Sequence, residues 1–340
     1  MVYFLYLYKN DLLLKGNEFM LRYFLKRLGL MLVTFVLVVF LFFLFVHLLP
    51  DFHKPPINGD DANYWIQYYR EGRDKPIPIQ FFIWVRNIIQ TGSFGYSQTQ
   101  RMDVSHIMFS KIPTTIMFQL VPYLITVPLG IFLGVVAALH KNKLADNLIS
   151  IGVMVLISVP TFVVAVLAQL YFAWRLHWVP TPPFVATPSE FANDFWGSLA
   201  TYILPSIVMI LGGIAGWARS IRAELTEQLT QDYMLLARSK GLSQRQATFR
   251  HGLKNALVPF APAIFLGFLG LLSGSIILER IFRVDGVGKV YLYAFNNKDY
   301  PLLLLNMIFY EFIGLLASIF ADLSYTLMDP RMRIGSGKSS

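Results

Sequence analysis

From Arg219 to Phe260 the chain reads RSIRAELTEQLTQDYMLLARSKGLSQRQATFRHGLKNALVPF, its most polar long segment, with an apolar run on either side. The inner half, Tyr233 to Pro259, has the punctuation of two helices meeting at a sharp corner. Lys240 closes the first, because Gly241 is the residue type that takes the left-handed conformation after a helix. Ser243 opens the second: its hydroxyl caps the new helix while Gln246, three residues on, reaches back to it. Pro259 falls where the next apolar helix begins, a position that tolerates a residue lacking an N–H. A short helical knob held between two apolar segments is a docking device.

The rest of the chain sets that knob in a membrane. Of 340 residues 55% are hydrophobic and 14% charged, too apolar for a soluble globular protein. The net charge of +9 is spread between apolar runs instead of being gathered on one soluble domain, which argues against nucleic acid and for the anionic inner face of a bilayer. Cysteine is absent and the six histidines (47, 53, 106, 140, 177 and 251) lack ligand spacing, so disulfides, thiol chemistry and a zinc cluster are not expected. About 20 apolar residues cross a bilayer, and six stretches qualify. Leu28 to Val46, extending to Pro50, is the first. Lys111–His140 brackets the second, with Pro122 and Pro128 as kinks, and Asp146–Arg175 the third, with Pro160 inside. Asp194–Arg219 brackets the fourth, with Pro205 and the small cluster Gly212, Gly213, Ala215 and Gly216. Lys254–Glu279 brackets the fifth, and Pro301–Met328 is the sixth.

With the amino end inside, the inner segments 1–27, 140–146, 219–254 and 327–340 carry 17 Lys or Arg, against 12 on the longer outer segments. That bias puts both termini and the 219–254 loop in the cytoplasm. The chain divides accordingly. Residues 1–27 are a cytoplasmic or interfacial segment, VYFLYLY (2–8) being too short to cross, and 28–50 are the first span. Residues 51–112 form an extracytoplasmic loop with an amphipathic helix from Ile79 to Gln90, stopped at Thr91-Gly92. The core, 113–328, carries the 219–254 loop, and 329–340 are a cytoplasmic tail.

QDYMLLARSKGL (231–242), RHGLKNALVP (250–259), GSIILERIFRVDGVG (274–288), KDYPLLL (298–304) and ADLSYTLMDPRMR (321–333) follow one another in an order that resembles ABC-transporter permease subunits, in particular the B-type membrane subunit of oligopeptide and dipeptide importers. The resemblance runs from about Met20 to Arg333. It implies an all-α, six-span, type I ABC importer permease in the cell membrane, carrying oligopeptides or dipeptides, with nickel or glutathione as the alternative cargoes. It also implies a second homologous permease subunit, two ATPase subunits that use ATP and Mg, and an extracytoplasmic peptide-binding protein, while this chain binds no cofactor and is not an enzyme. In the family the loop plugs into the ATPase. Tyr233, Ala237, Arg238, Gly241, Leu242, Ser243, Arg250, His251, Asn255 and Pro259 stand at its positions here, with Ala237 and Gly241 small enough to let the knob seat closely. Arg250, His251 and Asn255 fall near one face of the second helix. Three outer words depart from the pattern: Pro50-Asp51-Phe52-His53, Ser93 before Phe94-Gly95, and Asp285-Gly286.

Acids within the apolar runs are costly unless they face protein or water. Glu279, at the outer end of the fifth span, and Glu311, in the sixth, are therefore candidates for the translocation path or gate. Asp322 has a local explanation near the inner surface. The tail Gly335-Ser336-Gly337-Lys338-Ser339 imitates the end of a phosphate-binding loop, but Met332 stands where the first glycine belongs, so a flexible tail is expected there and not a nucleotide site. An ion-coupled secondary transporter is the rival reading, against which stand the absence of an inverted repeat and the presence of a docking loop. A membrane-embedded enzyme is weaker still, since Glu311 and Asp322 lie about 16 Å apart along a helix and cannot act as a pair.

Overall fold

A computed structural model describes residues 2–49, 69, 72–97, 99–180 and 184–328, with side chains between Leu25 and Ala321. The order is α1 (Val2–His47), α2 (Ile77–Thr91), the hairpin strands β1 (Tyr96–Ser97) and β2 (Met102–Asp103), α3 (Val104–Phe109) and α4 (Ile112–Leu139). Then come α5 (Leu144–Ser158), α6 (Thr161–Ala168) running on as a π-helical turn to Arg175, α7 (Phe195–Gln228), α8 (Asp232–Ser239), α9 (Gln244–Ala247) and α10 (Leu253–Leu257). The last four are α11 (Ala261–Gly270), α12 (Ile276–Ile281), α13 (Val287–Asn296) and α14 (Tyr300–Met328). Among the described residues five helices are long and apolar enough to cross a membrane, and α5 with α6 and its π turn makes a sixth if the bent pair counts as one. Much of the 51–71 loop, the tail 329–340 and the side chain of Asp322 lie outside the described residues.

Two compact units form, one from residues up to Ser105 together with those from Asn297 on, the other from His106–Asn296. In the first, residues 2–27 and the first span are a single helix, α1, apolar enough to cross from Leu25 to His47. No proline interrupts it, and it stops just short of Pro50, where the residue before a proline resists the helical conformation. Its Val39, Phe43 and Val46 pack against Phe81 of α2 and Leu304 and Ile308 of α14. Gly92 closes α2 in the left-handed region, φ +70°, its N–H donating to Ile88 O at 2.8 Å. Asp299 caps α14, accepting from Leu302 N at 3.4 Å, and also accepts the hydroxyls of Ser97 and Thr99, which ties the hairpin to the start of that helix.

The second unit is built on the close approach of α4 and α7. A methyl on Gly134 would stand 2.7 Å from Ala218 O, and one on Gly130 only 2.5 Å from Trp217 Cβ, so glycine is what lets the two backbones meet. Pro122, Pro128 and Pro205 lie inside unbroken helices, whereas at Pro160 the third run turns through 88° between α5 and α6. The fifth run is displaced from its expected bounds. It is helical from Gln244 to Gly270, because the cap at Ser243 starts a helix that nothing ends at Lys254, and Pro259 is absorbed in the first turn of a 3-10 segment, Val258–Phe260. Glu279 thus lies beyond that run, on the separate short helix α12.

Candidate functional site

The corner forms by backbone chemistry alone. At the end of α8 the N–H of Gly241 bonds to Arg238 O at 2.9 Å and that of Leu242 to Ala237 O at 3.3 Å, the double closure of a Schellman motif. Gly241 holds φ +91° with open space where a side chain would project, so the backbone angle, not crowding, demands glycine. Two residues on, Ser243 Oγ accepts from Gln246 N at 3.2 Å and Gln246 Oε1 from Ser243 N at 3.0 Å, a complete capping box. The elbow is filled by Met234, Ala237 and Ala247, flanked by Leu229, Tyr233 and Leu242. Ala237 is therefore small, and Leu242 apolar, for the corner's own packing, and Ala237 presents little surface to anything outside.

The corner is bolted to the helices beneath it. Tyr233 donates its hydroxyl to Gln228 Oε1 at 2.7 Å, and Gln228 donates in turn to Glu224 Oε1 at 2.9 Å. Ala138 of α4, Leu225 of α7 and Ala256 of α10 meet in one small apolar cluster. A bidentate pair joins Arg222 of α7 to the buried Asp146 at the start of α5, with Nε–Oδ1 2.5 Å and Nη2–Oδ2 2.8 Å; Asn142 N and Ser150 Oγ complete the carboxylate's bonds. Such a satisfied pair fixes geometry and is costly to break by halves. The first ten residues of the expected loop, Arg219–Gln228, are simply the last turns of α7.

Facing outward are Arg238, Ser243, Arg250, Asn255 and Pro259, with His251 half-buried. Among them stand apolar residues that the sequence reading passed over: Leu235 and Leu236 are 70% and 56% exposed and Phe249 49%. Large apolar side chains in water on an otherwise charged segment mark a surface meant to be covered. Their signal was present as apolar letters in a polar stretch, but such letters read equally well as core.

Glu279 does not sit on an open surface. It is 0% exposed, accepting from Thr115 Oγ1 at 3.1 Å and Gly288 N at 2.7 Å, while Thr115 Oγ1 also accepts from Val287 N at 2.8 Å. Any side chain at Gly274 or Gly286 would collide with this carboxyl. Burial pushes the Glu279 carboxyl above its ordinary range, against the hydrogen bonds from Thr115 and Gly288 that favour its ionised form. The neighbouring Asp285 is pushed up by partial burial, but Lys111 and Lys289 more than offset this and hold it below the ordinary range. Glu279 is thus a staple joining α12 and α13 to the start of α4. Glu311 lies half-buried within α14 with no hydrogen bond or ion pair among the described residues.

Residues 130–334 match the family described as binding-protein-dependent transport system inner membrane component. Over 318 residues, 93% of this chain and 100% of the relative, it is 32% identical to the dipeptide transport system permease protein DppB of Lactococcus lactis. It is also 32% identical to the glutathione transport system permease protein GsiC of Salmonella paratyphi A (92% of this chain, 99% of the relative) and 33% identical to a putative peptide transport system permease protein of Brucella abortus (91% and 98%). With five or six apolar helices among its described residues, a doubly capped corner, and a family match over most of its core, the chain belongs to the binding-protein-dependent transport system inner membrane components, the permease subunits of ABC importers.

Proposed function

We propose that the chain is the peptide-carrying permease half of an ATP-driven importer and that its 219–254 corner is the part an ATPase grips. The carrying observation is the rigid, doubly capped elbow with Leu235, Leu236 and Phe249 exposed beside cationic residues. A second, homologous permease subunit completes the path, two ATPase subunits bind ATP and Mg on the cytoplasmic side, and an extracytoplasmic binding protein delivers the cargo. Peptide is favoured because the relatives named above include dipeptide and peptide permeases; glutathione, itself a small peptide, is the neighbouring choice. Both termini and the corner face the cytoplasm, in keeping with the excess of basic residues there. Glu279 serves the gate by holding its frame, and Glu311 is the acid left to line the path.

The test is Leu236→Glu with Phe249→Asp in the full chain co-expressed with its companions. Membrane insertion stays at the wild-type level, while ATPase co-purification weakens about 30-fold, the loss expected for a buried apolar anchor, and peptide uptake falls with it. Undiminished co-purification would remove the corner from the ATPase interface.

A further inference from the structure

Apart from the corner and the Glu279 staple, the second unit carries a groove between α5 and α7 of about 510 Å³. Its wall is apolar, with Val153, Met154 and Ile157 of α5 facing Ala218 of α7; Arg219, Arg222 and Ser150 also line it. The Asp146–Arg222 pair sets the first turns of α5 beside the last turns of α7, so the charged residues share one end and the apolar ones lead away from it, with Ser158 at the far end. From Ser150 to Ser158 the groove follows about two turns of helix, roughly 12 Å, close to the roughly 15 Å depth of one leaflet's hydrocarbon.

The charges at the mouth do not cancel. Arg222 spends its Nε and Nη2 on Asp146, whereas Arg219 is exposed and makes no hydrogen bond or ion pair among the described residues. One uncompensated guanidinium at the head of a leaflet-deep apolar trough matches one phosphodiester above one acyl chain. A lipid phosphate already lies at the level of Arg219, whereas a protein helix seated there would have to supply an acid of its own at that one position to satisfy it. We infer that the groove holds one anionic phospholipid, its phosphate on Arg219 and an acyl chain along Val153, Met154 and Ile157. On the proposed topology this is an inner-leaflet lipid. The inference requires only that the chain is in a membrane, and stands or falls separately from ATPase docking.

The assembled importer in nanodiscs, photolabelled with a phosphatidylglycerol carrying a diazirine in its acyl chain, tests it. Labelling of the Leu144–Ser158 peptide is expected to exceed that by the matching phosphatidylcholine about fivefold. Arg219→Gln brings it down to the phosphatidylcholine level, and Ala223→Trp, which fills the mouth at an exposed position, abolishes it. Arg175→Gln, an exposed charge elsewhere, leaves it unchanged. Equal labelling by the two lipids, indifference to Arg219→Gln or Ala223→Trp, or cross-linking of Met154 to the companion permease in place of lipid would each overturn the inference.

Discussion

Glu279 shows how one side chain organises a region of the permease. Its carboxyl is buried, meets Thr115 from 164 positions away, and has its titration pushed upward by burial. A group whose folded pKa is raised stabilises fully below its unfolded pKa, and that contribution is lost as pH rises through the folded value. The thermal midpoint of the purified protein is therefore expected to decline as pH is raised from the ordinary carboxyl range toward neutrality. Glu279→Gln flattens that decline, and an identical pH dependence in the variant would refute the staple's titration. The corner was legible residue by residue, since Gly241, Ser243 and Gln246 act on neighbours no more than five positions away. The role of Glu279 was not, because its partner Thr115 is distant in sequence and its glycine cage exists only once α12, α13 and α4 have met. Ala237 stands at one of the family's small positions, and the structure adds that its methyl packs inside the elbow with Met234 and Ala247, a placement visible only once the corner has folded.

Elements form where their ends are chemically marked, and the sequence showed the marks more reliably than the spans between them. The helix ending at Thr91-Gly92 and the break at Lys240–Ser243 followed from glycine and serine. Bracketing spans by charged residues worked less well: the fifth helical run begins at Gln244 and ends at Gly270, since helices stop at caps and not at charges. Pro160 could be placed but not its 88° bend, because prolines at 122, 128 and 205 are carried inside straight-through helices. The α4–α7 contact depends on Gly134, with Ala218 O and Ile221 Cβ each 2.7 Å from an added methyl. Gly134→Ala should cost about 1–3 kcal/mol through overpacking, lowering the thermal midpoint, while Gly216→Ala, inside the partner helix α7 but with nothing within 4 Å, leaves it unchanged or raises it, since alanine is the better helix former.

At the scale of the molecule, six apolar runs and their charge bias were readable from composition, since the bilayer imposes length and charge rules on any chain it accepts. The chain has no cysteine, so single cysteines report topology without background. In intact cells, Ser189→Cys is expected to react with a membrane-impermeant maleimide and Ser239→Cys only after permeabilisation; the reverse pattern would invert the proposed orientation. The unbroken helical run from Gln244 to Gly270 has a mechanical corollary. Its 27 residues make a rod of roughly 40 Å, and a rod pivoting near its middle behaves as a seesaw. If the cytoplasmic end is the one an ATPase grips, as proposed, a sideways stroke of roughly 3 Å there swings the far end by a similar distance the opposite way, the 3-10 turn at Val258–Phe260 lying near the fulcrum, so that one stroke would close one mouth and open the other.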